Sequence, residues 1–133
     1  MFKSIIDVSS RDTDALGHVN NTSLPLWFET ARNPVYKIFN PGMDLNPKNW
    51  NLIMVHTEFD YIDQIFFGIE VEIRTYIEKV GTTSFTVYQE AWQMDKLRGT
   101  GRAILVEFDF NRQETIEISD NIKEELKKHL YKK

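Results

Sequence analysis

The chain of 133 residues contains no cysteine. That absence removes disulfides, thiolate nucleophiles and cysteine-built zinc sites together. Histidine is scarce as well: only His18, His56 and His129 occur, and no two have the i, i+4 spacing of a helical metal site. No metal is therefore expected. No apolar run approaches the ~20 residues of a membrane-crossing helix, and Met1-Phe2-Lys3-Ser4 lacks a secretory apolar block. A cytoplasmic protein with no membrane partner is the resulting expectation. The chain also lacks an excess of positive charge. Its 16 basic and 20 acidic residues give a net charge of −4, which disfavours nucleic acid as a partner. An anionic ligand held by a few local lysines and arginines stays compatible with that balance. No glycine-rich phosphate loop is present.

What is present points to a packed core. Hydrophobic residues make up 41% and aromatics 13%, a globular composition. The length suits one domain over residues 1–133, with no repeat or linker to divide it. Phe2, Ser4, Ile6 and Val8 share one face of a first strand, with Ile5 on the other. From Leu24 onward, Leu24, Trp27, Phe28, Ala31, Val35 and Ile38 recur at spacings of three and four, an amphipathic helix. Thr22 or Ser23 can cap its start, and Pro25 is tolerable in the first turn. Pro34 should kink it or end its first section around Asn33. Asp44 to Asn51, with Pro47, reads as an irregular loop.

From Leu52 to Asn111 the pattern is of strands. Val71, Ile73, Thr75 and Ile77 alternate with Glu70, Glu72, Arg74, Tyr76 and Glu78, and Gly81 punctuates the run. Thr83 to Trp92 is again β-branched and aromatic, Asp95 to Gly99 reads as a loop, and Arg102 to Phe110 alternates once more. Ser119 or Asp120 caps a short last helix, Ile122 to Leu130. Strand, helix, then consecutive strands predict an α+β fold, one helix on an antiparallel sheet of about five strands.

The densest chemistry lies between the first strand and the helix, in Arg11-Asp12-Thr13-Asp14-Ala15-Leu16-Gly17-His18-Val19-Asn20-Asn21. A polar cluster there sets a carboxylate beside helix-terminal N–H groups that have no partner inside the helix. A base or nucleophile on one side and oxyanion donors on the other suit attack on an acyl carbonyl. Asp14 is the leading carboxylate, although Asp at such a place also caps turns. Asp12 reads as a solvated or Arg11-paired turn residue. His18 offers a proton exchanger or a loop hydrogen bond, and Asn20 and Asn21 fit turn and capping chemistry. Glu58 shares a strand face with His56 and Asp60. Glu29 and Arg32, i and i+3 on the helix, read as a surface ion pair. Lys96, Arg98 and Arg102 cluster near one expected loop as phosphate donors.

Asp-x-Asp-x-x-Gly-His-Val-Asn-Asn, followed by an aromatic-rich helix carrying Glu29 and Arg32, resembles the hotdog-fold acyl-CoA thioesterases. The nearest types are the 4-hydroxybenzoyl-CoA and acyl-carrier-protein thioesterases. Glu58-Phe59-Asp60-Tyr61, Val80-Gly81-Thr82-Thr83-Ser84-Phe85 and Gly101-Arg102-Ala103-Ile104-Leu105-Val106 extend the likeness along the chain. The resemblance implies a curved sheet wrapping the long helix and pairing of protomers into a homodimer or homotetramer. It implies acyl-CoA or acyl-carrier protein as partner, and coenzyme A as part of the substrate, not a cofactor. Asp14 matches the family's catalytic aspartate, His18 and Glu58 match its assisting residues, and the backbone N–H of Asn21 matches its oxyanion donor. Leu16 departs from the pattern, standing where the carrier-protein enzymes have asparagine. A hotdog hydratase fits less well, since Asp14 to His18 is one residue short of that spacing. A non-catalytic acyl-CoA-binding module is the reading from a different class, because fold and activity separate easily.

Overall fold

Period-two alternation buries Val71, Ile73, Thr75 and Ile77 to 1% exposure or less, so one face of that strand is sealed against helix. The computed structural model describes residues 1–14, 17–46 and 48–132. Its elements are β1 (Phe2–Ile6), a 3₁₀ turn (Ser10–Asp12), α1 (Ser23–Ala31), α2 (Asn33–Phe39), β2 (Leu52–Tyr61), β3 (Val71–Val80), β4 (Ser84–Gln93), β5 (Lys96–Asp109), β6 (Glu114–Thr115) and α3 (Asp120–Lys127). The sheet is antiparallel in the order β1-β3-β4-β5-β2, with β6 added to the end of β5. It curls around α1 and α2, the hotdog arrangement that the resemblance implied. Phe28, Leu24 and Ala31 of α1 pack with Val71, Ile73 and Ala91; Val35 and Phe39 of α2 pack with Ile77, Phe85 and Leu105. Ser119 caps α3 by accepting the Ile122 N–H at 3.3 Å. Leu16 and Pro47 lie outside the described residues.

The helix breaks at Arg32, one residue before Asn33. Pro34 brings no N–H to the ladder, and the sheet supplies donors to the end of α1 instead. Gln89 Nε2 donates to the Phe28 carbonyl at 3.0 Å, and Thr75 Oγ1 donates to the Ala31 carbonyl at 3.4 Å. Here the expected Glu29–Arg32 surface pair is corrected. Arg32 is 4% exposed, with Nε donating to the Tyr36 hydroxyl and Nη1 to Gln89 Oε1, because the break turns it inward. The expected 95–99 loop is corrected too. Met94 and Asp95 (φ 52° and 60°) close a two-residue hairpin, and β5 starts at Lys96.

At the far end of β5, burial conflicts with charge. Glu107 is 8% exposed, its Oε1 has no hydrogen-bond partner among the described residues, and burial pushes its pKa above the ordinary carboxylate value. Asn51, next to the Leu52 that Glu107 faces across the strands, holds a second buried acceptor without a donor. A folded-state pKa above the unfolded one means the native chain holds the proton more tightly. The resulting stability is full below the unfolded value and fades as pH rises through the folded value. Glu107→Gln should therefore raise the melting temperature at neutral pH and match the native chain in acid. Melts between about pH 4 and pH 8 read that convergence; parallel curves would contradict it.

Candidate active site

The Asp-rich motif folds into a tight reversal. The Asp14 N–H donates to the His18 carbonyl at 2.8 Å, and the Gly17 N–H donates to the Asp14 carbonyl at 3.1 Å. Gly17 takes φ +76°, a region in which a side chain is strained. Asp14 Oδ1 accepts the His18 N–H at 3.3 Å, so carboxylate and histidine backbone are held together. Asp14 is exposed. The returning arm docks on the loop after β2: the Val19 N–H donates to the Ile65 carbonyl at 2.8 Å, and the His18 ring meets the edge of Phe66.

Asp12 locks this turn to the helix. Its Oδ2 accepts the Ser9 N–H and hydroxyl, and its Oδ1 accepts the Ser23 hydroxyl at 3.0 Å. That is a capping role, not the solvated or Arg11-paired turn residue expected. Asn20 does the work assigned to Thr22 or Ser23: its Oδ1 accepts the Thr22 N–H at 3.0 Å, and its carbonyl accepts the Ser23 N–H. The Asn21 N–H has no acceptor among the described residues. Its carbonyl, by contrast, is fixed by the Tyr61 hydroxyl at 2.6 Å.

A cavity of about 450 Å³ opens beside these groups, lined by His18 to Asn21, Leu24, Tyr61 to Ile65 and Arg98. Arg98 is the extra, unpaired residue of β5 where Gly99 faces Ala91 and Leu97 faces Trp92. It is 5% exposed, donates to the Gln93 and Gln64 carbonyls, and lies 3.4 Å from Asp63. Gln93 binds the same loop through Phe66 and Ile69. Tyr61 and the tied loop 62–66 are what sequence reasoning missed. Tyr61 is only the last residue of a strand pattern, and loop residues acquire a role only once folding brings His18 onto them.

Of the expected site residues, His18 and Asn21 line the cavity and Asp14 adjoins it through His18. Glu58 sits on the opposite face of β2, half-exposed, 3.5 Å from His56 and paired in register with Arg102. The three basic residues do not converge. Lys96 is exposed at the hairpin, whereas Arg102 is bound to both Glu78 oxygens at 2.9 and 3.1 Å and stacks on Tyr88. That carboxylate contact, above all, raises the Arg102 pKa. Arg98 alone of the three faces the cavity.

Comparison with known proteins agrees with this fold. A structure of a predicted thioesterase from Bacillus stearothermophilus superposes with a TM-score of 0.92 at 34% identity, covering 99% of this chain and 98% of that one. A thioesterase from Thermus thermophilus, complexed with coenzyme A and Zn, has the same fold: TM-score 0.79, 23% identity, 93% and 95% coverage. The uncharacterized protein YsmA of Bacillus subtilis is 26% identical over 129 residues, 94% of this chain and 84% of its own. The model of the thioesterase-like superfamily matches residues 8–126, and the chain belongs to that superfamily.

Proposed function

We propose that the protein hydrolyses acyl-CoA thioesters, with Asp14 as base or nucleophile and the Asn21 amide as oxyanion donor. The observation that carries this reading is an Asn21 N–H without an acceptor among the described residues, on the rim of a cavity that His18 also lines. A thioester carbonyl seated there would gain a donor as its oxygen becomes negative. In the water-mediated form, Asp14 takes a proton from water while the oxygen attacks the carbonyl carbon. The C–S bond then breaks, and the proton passes to the departing thiolate. His18, held to Asp14 through its own backbone, assists at the reacting oxygen. Arg98 is assigned to the anionic groups of coenzyme A. A thiol-release assay over short, long and aryl acyl-CoAs tests the activity, and absence of turnover on all of them would overturn it.

Tyr61 should act as a positioning residue. Tyr61→Phe removes the hydroxyl that fixes the Asn21 carbonyl, one net hydrogen bond. We expect kcat to fall about fivefold with KM little changed, read by steady-state kinetics; an unaltered kcat would deny Tyr61 the role.

The exposed Asp14 also needs cover from water. β2 ends the sheet with an unpaired edge on which Val55 is 58% and Tyr61 55% exposed. We assign that edge to a second copy of the chain, forming a dimer whose partner closes the site. Glu58 would then serve only a site built across the two copies. Val55→Lys should shift the mass measured by light scattering toward the monomer and reduce hydrolysis with it.

A further inference from the structure

The break at Arg32 leaves a positive charge that the protomer does not answer. Arg32 is 4% exposed, and its two partners, the Tyr36 hydroxyl at 2.9 Å and Gln89 Oε1 at 3.3 Å, are neutral. Among the described residues it makes no ion pair, and its Nη2 has no acceptor. The C-terminal end of α1 contributes only about half an elementary charge. Nη2 is not sealed from solvent, so the guanidinium presents unused donors where Arg32 lines a cavity, and their planar fork fits a carboxylate. The same side chain lines a second cavity of about 300 Å³, with Tyr36 and Thr57 among its polar residues and Pro25 and Phe59 among its apolar ones. Glu29 also borders it, but from an exposed position where water screens its charge.

We propose that this cavity is a carboxylate pocket for the far end of the acyl group, so that acyl chains ending in a carboxylate are the favoured substrates. This rests on the thioesterase reading above. The two cavities follow one another along the seam between α1 and β2, the first bordered by Leu24 and Tyr61, the second by Pro25 and Phe59. From Asn21 to Arg32 a helical path rises roughly 16 Å. A carbonyl at the first cavity and a carboxylate at the second therefore belong to a long acyl chain, whose methylenes meet the apolar lining between.

Two measurements test it. The first is calorimetric binding of dodecanoate against dodecanamide, which have equal length and differ in charge and need no turnover. The carboxylate should bind about ten- to a hundredfold more tightly. Arg32→Gln should abolish that preference, whereas Arg32→Lys keeps part of it and Tyr36→Phe, a milder change, weakens it. The second is kcat/KM for dodecanedioyl-CoA against dodecanoyl-CoA, which should favour the diacid by a similar factor. Carboxylate-dependent binding without hydrolysis of either ester would leave the pocket standing and the thioesterase reading overturned. Hydrolysis of both esters at equal kcat/KM, with no preference for dodecanoate, would overturn the pocket and spare that reading. If dodecanoate has no advantage and Glu29→Gln instead shifts the dimer to monomer, a second copy answers Arg32, and the pocket is overturned as well.

Discussion

Replacing Asp14 with asparagine should lower acyl-CoA hydrolysis by about two to four orders of magnitude, the usual scale for losing a positioned base. The change is nearly isosteric and at an exposed position, so the melting temperature should move little. The amide can still accept the His18 N–H, now made by Oδ1 at 3.3 Å, and the turn through Gly17 need not open. What vanishes is the capacity to take a proton or attack the carbonyl. The loss should fall on kcat, with KM for the thioester nearly unchanged, because the acyl and nucleotide portions bind elsewhere. Steady-state kinetics beside a thermal melt separate this from unfolding. Retained turnover in a folded Asp14→Asn protein would end the assignment of Asp14.

How far the sequence could be read depended on whether a residue's role was local. Alternation along β3 and the three-and-four spacing of α1 report one buried face each, and that face does not depend on the partner it meets. The break before Pro34 was legible for the same reason, since a missing N–H acts wherever the chain goes. The polar passage from β1 to α1 was legible as a place in the fold because strand end, turn and helix start are neighbours in sequence. Arg32 was misread because i, i+3 spacing reports proximity on a helix and says nothing about which way the surroundings pull. Its partners are Tyr36, one turn on along the chain, and Gln89, 57 positions away on the sheet. Arg98 was grouped with Lys96 and Arg102 by nearness in sequence. Arg98 is the extra residue of a bulge in β5 and lines the cavity, and Glu78 claims Arg102 from another strand. Tyr61 was overlooked because its contact, the Asn21 carbonyl, is 40 residues distant.

The largest loss of stability should come from a glycine. A Cβ on Gly101 would stand 2.8 and 2.9 Å from Cδ2 and Cε2 of Phe28 and 3.1 Å from Cδ1 of Phe59. Phe28 is fully buried and stacks on Phe59 with ring centroids 6.1 Å apart, so the Phe28 ring has no space to retreat. Gly101→Ala should cost about 1–3 kcal/mol by overpacking, and Gly101→Val more. Gly17→Ala is the instructive contrast. Its φ of +76° strains any side chain, but nothing among the described residues lies within 4 Å, so a backbone penalty of roughly 1 kcal/mol is expected. The Gly101 penalty should also reach the chemistry. Phe28 belongs to the helix that begins just after Asn21, and relief of the clash requires α1 to lift from β5. A displacement of about 1 Å at a reacting group costs about a hundredfold in rate. Gly101→Ala should thus lose hydrolysis even at temperatures where it stays folded. Urea melts and kcat/KM measured well below the transition would expose the opposite result, native stability with native rate, which would mean that α1 does not press on β5 at this point.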